Sequence, residues 1–249
     1  MQDRGAQMCT VRAKNFNHER LMGHSRMSPN MRSSWYERYV LPYLIDIACG
    51  MRPVWHQRHR VVPLATGRIL EIGIGTGLNL EHYNKANIEK IVGLDPGLAM
   101  FPLARKRAKQ ASLAVELVGL SAEEIPYQEG SFDTVLVTYS LCTIPNPGAA
   151  LKEMRRVLTP GGKLIFCEHG LAPDASVRHW QDRLTALWAK LSGGCQLNRD
   201  IPSLLREAGF HSVDIQSNYL PGPRPLTYHY GGTAVLSGRR FKNDVDQNI

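Results

Sequence analysis

The sequence predicts a single α/β domain built on a mostly parallel, doubly wound sheet, and three observations carry that expectation. Short apolar runs alternate with segments of helical period from Arg68 to Glu168, the pattern of repeated βαβ units. Several runs are apolar at nearly every position, as in VLVTYSL at 135–141, which fits strands covered on both faces. Three glycines, Gly73, Gly75 and Gly77, come directly after the first run, where such a sheet turns from strand into crossover.

Taken in order, the predicted strands are 68–72, 90–94, 114–119, 132–138 and 163–168, and the helices between them are 78–83, 98–110 and 149–158. Ahead of them, Trp35, Tyr39, Val40, Tyr43, Leu44 and Ile47 recur at helical spacing, so a helix runs from Ser34 to before Gly50, kinked at Pro42. A second helical stretch covers 53–64. Beyond Glu168 the spacing predicts helices at 177–191 and 201–208 and strands at 211–218 and 228–236. The link PGPRP between those strands suits a hairpin better than a helical crossover. The domain thus divides into 34–66 as a helical lid, 67–170 as a binding core, and 171–249 as helices with an antiparallel strand pair.

Composition narrows the class. The 249 residues are 43% hydrophobic and 21% charged, as in an ordinary globular protein. No run approaches the roughly 18 apolar residues of a spanning helix, and residues 1–31 lack the apolar stretch of a secretory signal. A cytoplasmic location is the expectation. The net charge is +8, and residues 1–34 carry six basic side chains against two acidic ones. Residues 1–33 therefore read as a flexible basic tail, with peripheral contact to nucleic acid or membrane as the lesser alternative. Cys9, Cys49, Cys142, Cys167 and Cys195 lie far apart without a C-x-x-C pair, so neither a disulfide framework nor a metal site is expected.

The stretch RILEIGIGTGLN places the glycines where backbone amides can approach a ligand closely. In the dinucleotide fingerprint G-x-G-x-x-G the third glycine would fall at Leu78, whereas Gly77 comes one residue early; this departs from the dehydrogenase pattern. Glu71 stands at the end of the first strand, where a carboxylate can meet a ligand's amino group. Asp95, before Pro96, ends the next strand. An acid there can accept hydrogen bonds from both hydroxyls of a ribose and repels a 2′-phosphate.

The segments EIGIGTG, LDP, SAEEIPYQEGSFD and VLTPGGKL resemble the class I S-adenosylmethionine-dependent methyltransferases related to quinone biosynthesis. The resemblance covers about 67–166 and implies a seven-stranded sheet in the order 3-2-1-4-5-7-6, with S-adenosylmethionine across its carboxyl edge. It places Ser121, Ala122 and Glu123 beside the adenine, with a serine where an acid is usual. It also places Thr138 and Leu141 near the methionine part and the reactive methyl.

A closer resemblance takes in YVLPYLIDIACGMRP at 39–53, Leu141–Pro145, Glu168-His169 and GCQLNR at 194–199. These segments are similar to the thiol S-methyltransferases of animal microsomal membranes and their bacterial relatives, and imply a small hydrophobic acceptor. The hydrophobic anchor of the animal proteins is not found here, so membrane residence is not carried over. A thiol supplies some thiolate near neutral pH, whereas a carbon or hydroxyl acceptor needs a stronger base. His169 is the candidate base, or else it only anchors the loop after it. Tyr36 and Tyr39 could line an acceptor pocket or pack in the core, and Cys195 and Arg199 complete the family-like segment. Three alternatives stay open: methylation of a lipid, quinone or amine; an RNA-binding or RNA-modifying protein; and a cofactor-binding protein without catalysis. Against the RNA reading, TYSLCTIP lacks the [N/D]-P-P-[Y/F] sequence that holds a flipped base.

Overall fold

A computed structural model describes residues 35–236; the basic segment 1–33 and the last residues of the chain lie outside it. Seven strands form one sheet: β1 (Gly67–Ile72), β2 (Ile88–Leu94), β3 (Val115–Val118), β4 (Phe132–Thr138), β5 (Leu158–His169), β6 (Phe210–Tyr219) and β7 (Tyr228–Leu236). Their order is β3-β2-β1-β4-β5-β7-β6, as the resemblance implied. The first five strands run parallel, and β7 is antiparallel to both β5 and β6.

Alternate strand residues face two separate cores, which is why the runs are apolar throughout. Leu70, Ile72, Val135, Val137, Leu164 and Phe166 pack on one face with Leu151 and Met154 of α5 (Pro147–Val157) and Leu205 of α7 (Ile201–Glu207). Ile69, Leu136, Ile165 and Cys167 pack on the other with Val61 of α3 (Arg52–Val61) and Phe101 of α4 (Phe101–Gln110). Fully burying side chains of this size stabilises the fold by about 1.5 to 3 kcal/mol each. Among the described residues no helix is long and apolar enough to cross a membrane.

Three predicted helices are corrected. The segment from Ser34 is not one kinked helix: α1 (Trp35–Tyr39) stops and α2 (Leu41–Cys49) starts afresh with Pro42 in its first turn. Proline costs little at that position, because the first-turn amide has no intrahelical acceptor. The helix expected at 78–83 is a chain of tight turns, in which the amides of Gly77, Leu80 and His82 reach the carbonyls three residues back. Gly77 adopts φ +82, and Asn79 and Tyr83 turn inward to bind Glu71. The third segment, 98–110, opens as a 3-10 turn over Leu98–Met100 before α4 begins. The remaining helices are α6 (Ala175–Leu191) and α8 (Arg224–Thr227), a single turn within the PGPRP link.

Candidate active site

The carboxyl ends of β1, β2 and β4 converge on the glycine loop. Gly73 (φ +67) donates to the Leu94 carbonyl at 2.7 Å, tying the loop to the end of β2. A Cβ at Gly73 would stand 1.9 Å from Ser140 Oγ, so only glycine lets the loop cross the end of β4 this closely. At Gly75 a Cβ would make an ordinary contact with the Met100 sulfur at 3.4 Å, so it is the backbone φ of +52 that favours glycine there. The Gly75 amide donates to the Asp95 carboxylate at 2.9 Å, and that of Gly97 donates to its other oxygen at 2.7 Å. Burial pushes the Asp95 pKa up while these two amides pull it back. Pro96 is exposed beside it.

Glu71 lies on the face of β1 that meets α3. Its two oxygens accept from Asn79 Nδ2 at 2.9 Å and the Tyr83 hydroxyl at 2.8 Å. Arg58 of α3 donates through one terminal nitrogen to Asn79 Oδ1 at 2.6 Å and Thr138 Oγ1 at 2.7 Å. Its guanidinium carbon lies 4.9 Å from the centroid of the Tyr139 ring. Arg58 is 6% exposed, yet its Nε has no hydrogen-bond partner, a costly state for a buried donor. An arginine buried beside the glycine loop with a donor to spare suits a ligand carrying a carboxylate. No residue near Arg58 in sequence signals this role, because its partners are 21 and 80 positions away.

Burial raises the Glu71 pKa from 4.5 to about 7, against the opposing hydrogen bonds of Tyr83 and Asn79 and the charge of Arg58. Between those values the folded chain keeps a proton that the unfolded chain has released. Stability therefore falls as pH rises through this window, by about 3 kcal/mol in full above it. Glu71→Gln is expected to recover up to about that amount above pH 7 and nothing below pH 4.5. Denaturant unfolding of both proteins across the pH range checks this, and equal pH slopes would refute it.

The other predicted positions divide. Thr138 closes the cluster, accepting from Arg58 and Asn79. Ser121 and Glu123 are half-buried near the end of β3; Ser121 Oγ accepts from the Glu123 amide at 3.3 Å, and the Glu123 carboxylate accepts from the Asn146 amide at 2.6 Å. Ala122 and Leu141 contribute their side chains to the apolar core. Leu141 offers only its backbone to the site's frame: its amide donates to Glu168 at 3.1 Å and its carbonyl accepts from Arg199.

Beyond the end of β4 the chain makes a strained turn at Tyr139, whose φ of +53 is unusual for a side-chain-bearing residue. Glu168, fully buried at the end of β5, stabilises the far side of this turn by accepting from the amides of Ser140 at 2.7 Å, Leu141 at 3.1 Å and Cys142 at 3.4 Å. The next residue, His169, lines a cavity of about 520 Å3 together with Cys49, Cys142, Tyr139 and Cys195. The cavity's other walls are mainly apolar, from Leu41 and Ile45 of α2, Trp188 of α6, and Leu220 and Leu226 around α8. Tyr36 and Tyr39 do not line it: the Tyr36 hydroxyl donates to the Leu191 carbonyl and Tyr39 is exposed.

His169 Nε2 stands 2.8 Å from Cys195 Sγ. Burial works against the charged imidazole, but Cys195 and Glu168 outweigh it and leave the His169 pKa above its ordinary value. The Cys195 thiol is held protonated, first by its hydrogen bond with Cys142 and then by burial. The sequence offered Cys195 no metal-binding neighbour; the fold brings Cys142 and His169 to it, with their ligating atoms all within 4.8 Å of one another.

Fold and site together define a class I S-adenosylmethionine-dependent methyltransferase. A family profile for the methyltransferase domain matches residues 70–166. The rat thiol S-methyltransferase TMT1B is 32% identical over 173 residues, covering 67% of this chain and 70% of that protein. The human thiol S-methyltransferase TMT1A is 33% identical over 169 residues, covering 65% and 69%. A demethylmenaquinone methyltransferase of Clavibacter sepedonicus is 33% identical over 122 residues, covering 49% of each. Among solved structures, a methyltransferase from Thermotoga maritima superposes with a TM-score of 0.56 at 24% identity, covering 80% of this chain and 97% of that one; it shares the fold. The chain belongs to the family of S-adenosylmethionine-dependent methyltransferases that includes the thiol S-methyltransferases TMT1A and TMT1B.

Proposed function

We propose that the protein methylates a small apolar thiol. The observation that carries this reading is the apolar cavity of about 520 Å3 with His169 on its wall, next to the end of β4. The thiol S-methyltransferases among the relatives support it. In this reading Asp95 holds the ribose hydroxyls of S-adenosylmethionine, and the loop of Gly73, Gly75 and Gly77 accommodates its backbone-facing edge. Pro96 and the segment Ser121, Ala122 and Glu123 flank the adenine. Arg58 takes the methionine carboxylate, while Glu71 gives up its proton as the ammonium binds and supplies the opposing charge. Thr138 and the Leu141 backbone border the methyl group.

When bound, the cofactor supplies a methyl on a positively charged sulfur, open to displacement by an acceptor lone pair in line behind it. The chain's own work is to exclude water, align the acceptor and remove its proton. With its imidazole free, His169 on the cavity wall is the group that accepts this proton. The acceptor is a small molecule, and cofactor and acceptor account for the chemistry without a nucleic-acid or membrane partner.

Incubation with methyl-labelled cofactor and a panel of alkyl and aryl thiols tests the reading. Label is expected in the thioether product, and His169→Ala should lower kcat by roughly 10²-fold or more at neutral pH, the ordinary contribution of a general base. Transfer to no thiol by protein that demonstrably binds cofactor would reject it. The quinone and lipid methyltransferases among the relatives make an apolar carbon or amine acceptor the second reading, and the mass of the product separates the two.

A further inference from the structure

Cys142, His169 and Cys195 come from three separate parts of the fold: the turn after β4, the last residue of β5, and the loop after α6. Both cysteines are buried, and their sulfurs and the imidazole nitrogen lie within 4.8 Å of one another. Among the described residues, no other cluster of histidine, cysteine and acidic side chains has this geometry. We infer that these three side chains form a binding site for a thiophilic divalent metal ion such as zinc, with its fourth position open to the cavity.

The donor chemistry fits. Two thiolates and one imidazole are a familiar zinc set, and three protein ligands with an open position mark sites that act on substrate rather than only hold a fold. Tetrahedral bonds of about 2.3 Å to sulfur and 2.0 Å to nitrogen place neighbouring donors roughly 3.5 to 3.8 Å apart. His169 Nε2 to Cys195 Sγ, at 2.8 Å, is shorter than that range, and every pair lies within 4.8 Å.

The frame around the donors is fixed independently of any ion. Glu168 accepts from the Cys142 amide, and the Gln196 amide donates to the Cys142 carbonyl at 2.9 Å, joining the Cys195 loop to the turn after β4. Arg199 clamps the same turn through the Leu141 and Ile144 carbonyls. Trp188 Nε1 lies 3.4 Å from Cys195 Sγ, a donor suited to a metal-bound thiolate. Charge balances as well. Each cysteine releases its proton on binding, so the divalent ion and two thiolates sum to zero in an apolar wall, with Arg199 close by for a further anionic ligand.

All three donors line the cavity assigned above to the acceptor. Resting on that assignment, the fourth ligand is the acceptor thiol: its sulfur binds the ion and its proton leaves to solvent. His169 then serves as a ligand, and the metal replaces it as the means of forming thiolate.

Full-length protein treated with a chelator under reducing conditions and titrated with Co2+ tests the site without any activity measurement. One equivalent is expected to produce the visible bands of tetrahedral cobalt and near-ultraviolet thiolate charge transfer, both abolished by stoichiometric Zn2+. Cys142→Ser and Cys195→Ser should lose the charge-transfer bands, whereas Cys49→Ser should keep them. Circular dichroism and S-adenosylhomocysteine binding verify that each variant is folded. Absence of the bands from folded wild-type protein, or their persistence in both Cys142→Ser and Cys195→Ser, overturns the site. Added alkyl thiol should shift the cobalt spectrum. Intact cobalt binding without a shift, in protein that methylates no thiol, retains the site and rejects only the thiol acceptor.

Discussion

Asp95→Asn is expected to weaken binding of S-adenosylmethionine by about a hundredfold while the protein stays folded. In the proposed reading the carboxylate accepts from two ribose hydroxyls, and a hydrogen bond to a charged acceptor contributes about 1.5 to 3 kcal/mol. Losing the charge removes part of each, together about 3 kcal/mol, and each 1.4 kcal/mol is a factor of ten. Asp95 is 8% exposed and its burial already disfavours the ionised form, so neutralising it spares the folded chain a desolvation cost. That gain offsets the poorer match of the new amide to the Gly75 and Gly97 amides. Calorimetric titration with S-adenosylhomocysteine, alongside a thermal melt, separates the two effects. Unchanged affinity would remove Asp95 from the ribose.

The second large effect falls on stability. Glu168→Ala takes away the acceptor shared by the amides of Ser140, Leu141 and Cys142. A buried donor left without a partner costs about 1 to 3 kcal/mol, so three such losses should exceed about 3 kcal/mol, or roughly 6 to 12 °C in Tm for a domain of this size. The turn they stabilise holds Tyr139 at a positive φ, and the variant is expected to release it. Glu168→Gln, which retains a carbonyl acceptor, should lose less. Chemical denaturation of the two variants checks the order, and equal stability of Glu168→Ala and wild type would refute it.

The strands were readable in the sequence because burial on both faces leaves uninterrupted apolar runs, and β4 occupies the predicted 132–138. Glu71 and Asp95 were readable because each closes such a run at the edge where parallel strands bind ligands. The turns at 78–83 were not readable: LNLEHY has helical character, and only the inward pull of Glu71 on Asn79 and Tyr83 decides its shape. Arg58 was hidden for a related reason. It sits among other basic residues of α3, and nothing local distinguishes the buried one from its solvated neighbours. Glu168 read as a companion of His169, yet its work is done on amides 26 to 28 positions earlier. The three metal-type donors share no motif because the turn after β4, the end of β5 and the loop after α6 each deliver one.

The reversed strand β7 sets His169 directly opposite His229, and the cavity wall continues from β5 into the link between β6 and β7, through Leu220, Pro221, Leu226 and Thr227. The glycine loop and Asp95 belong to the opposite half of the sheet. The cavity wall is thus drawn from α2, which precedes the glycine loop in sequence, and from segments that follow Asp95, so an acceptor preference set there can change at either end of the gene while the stretch between stands still.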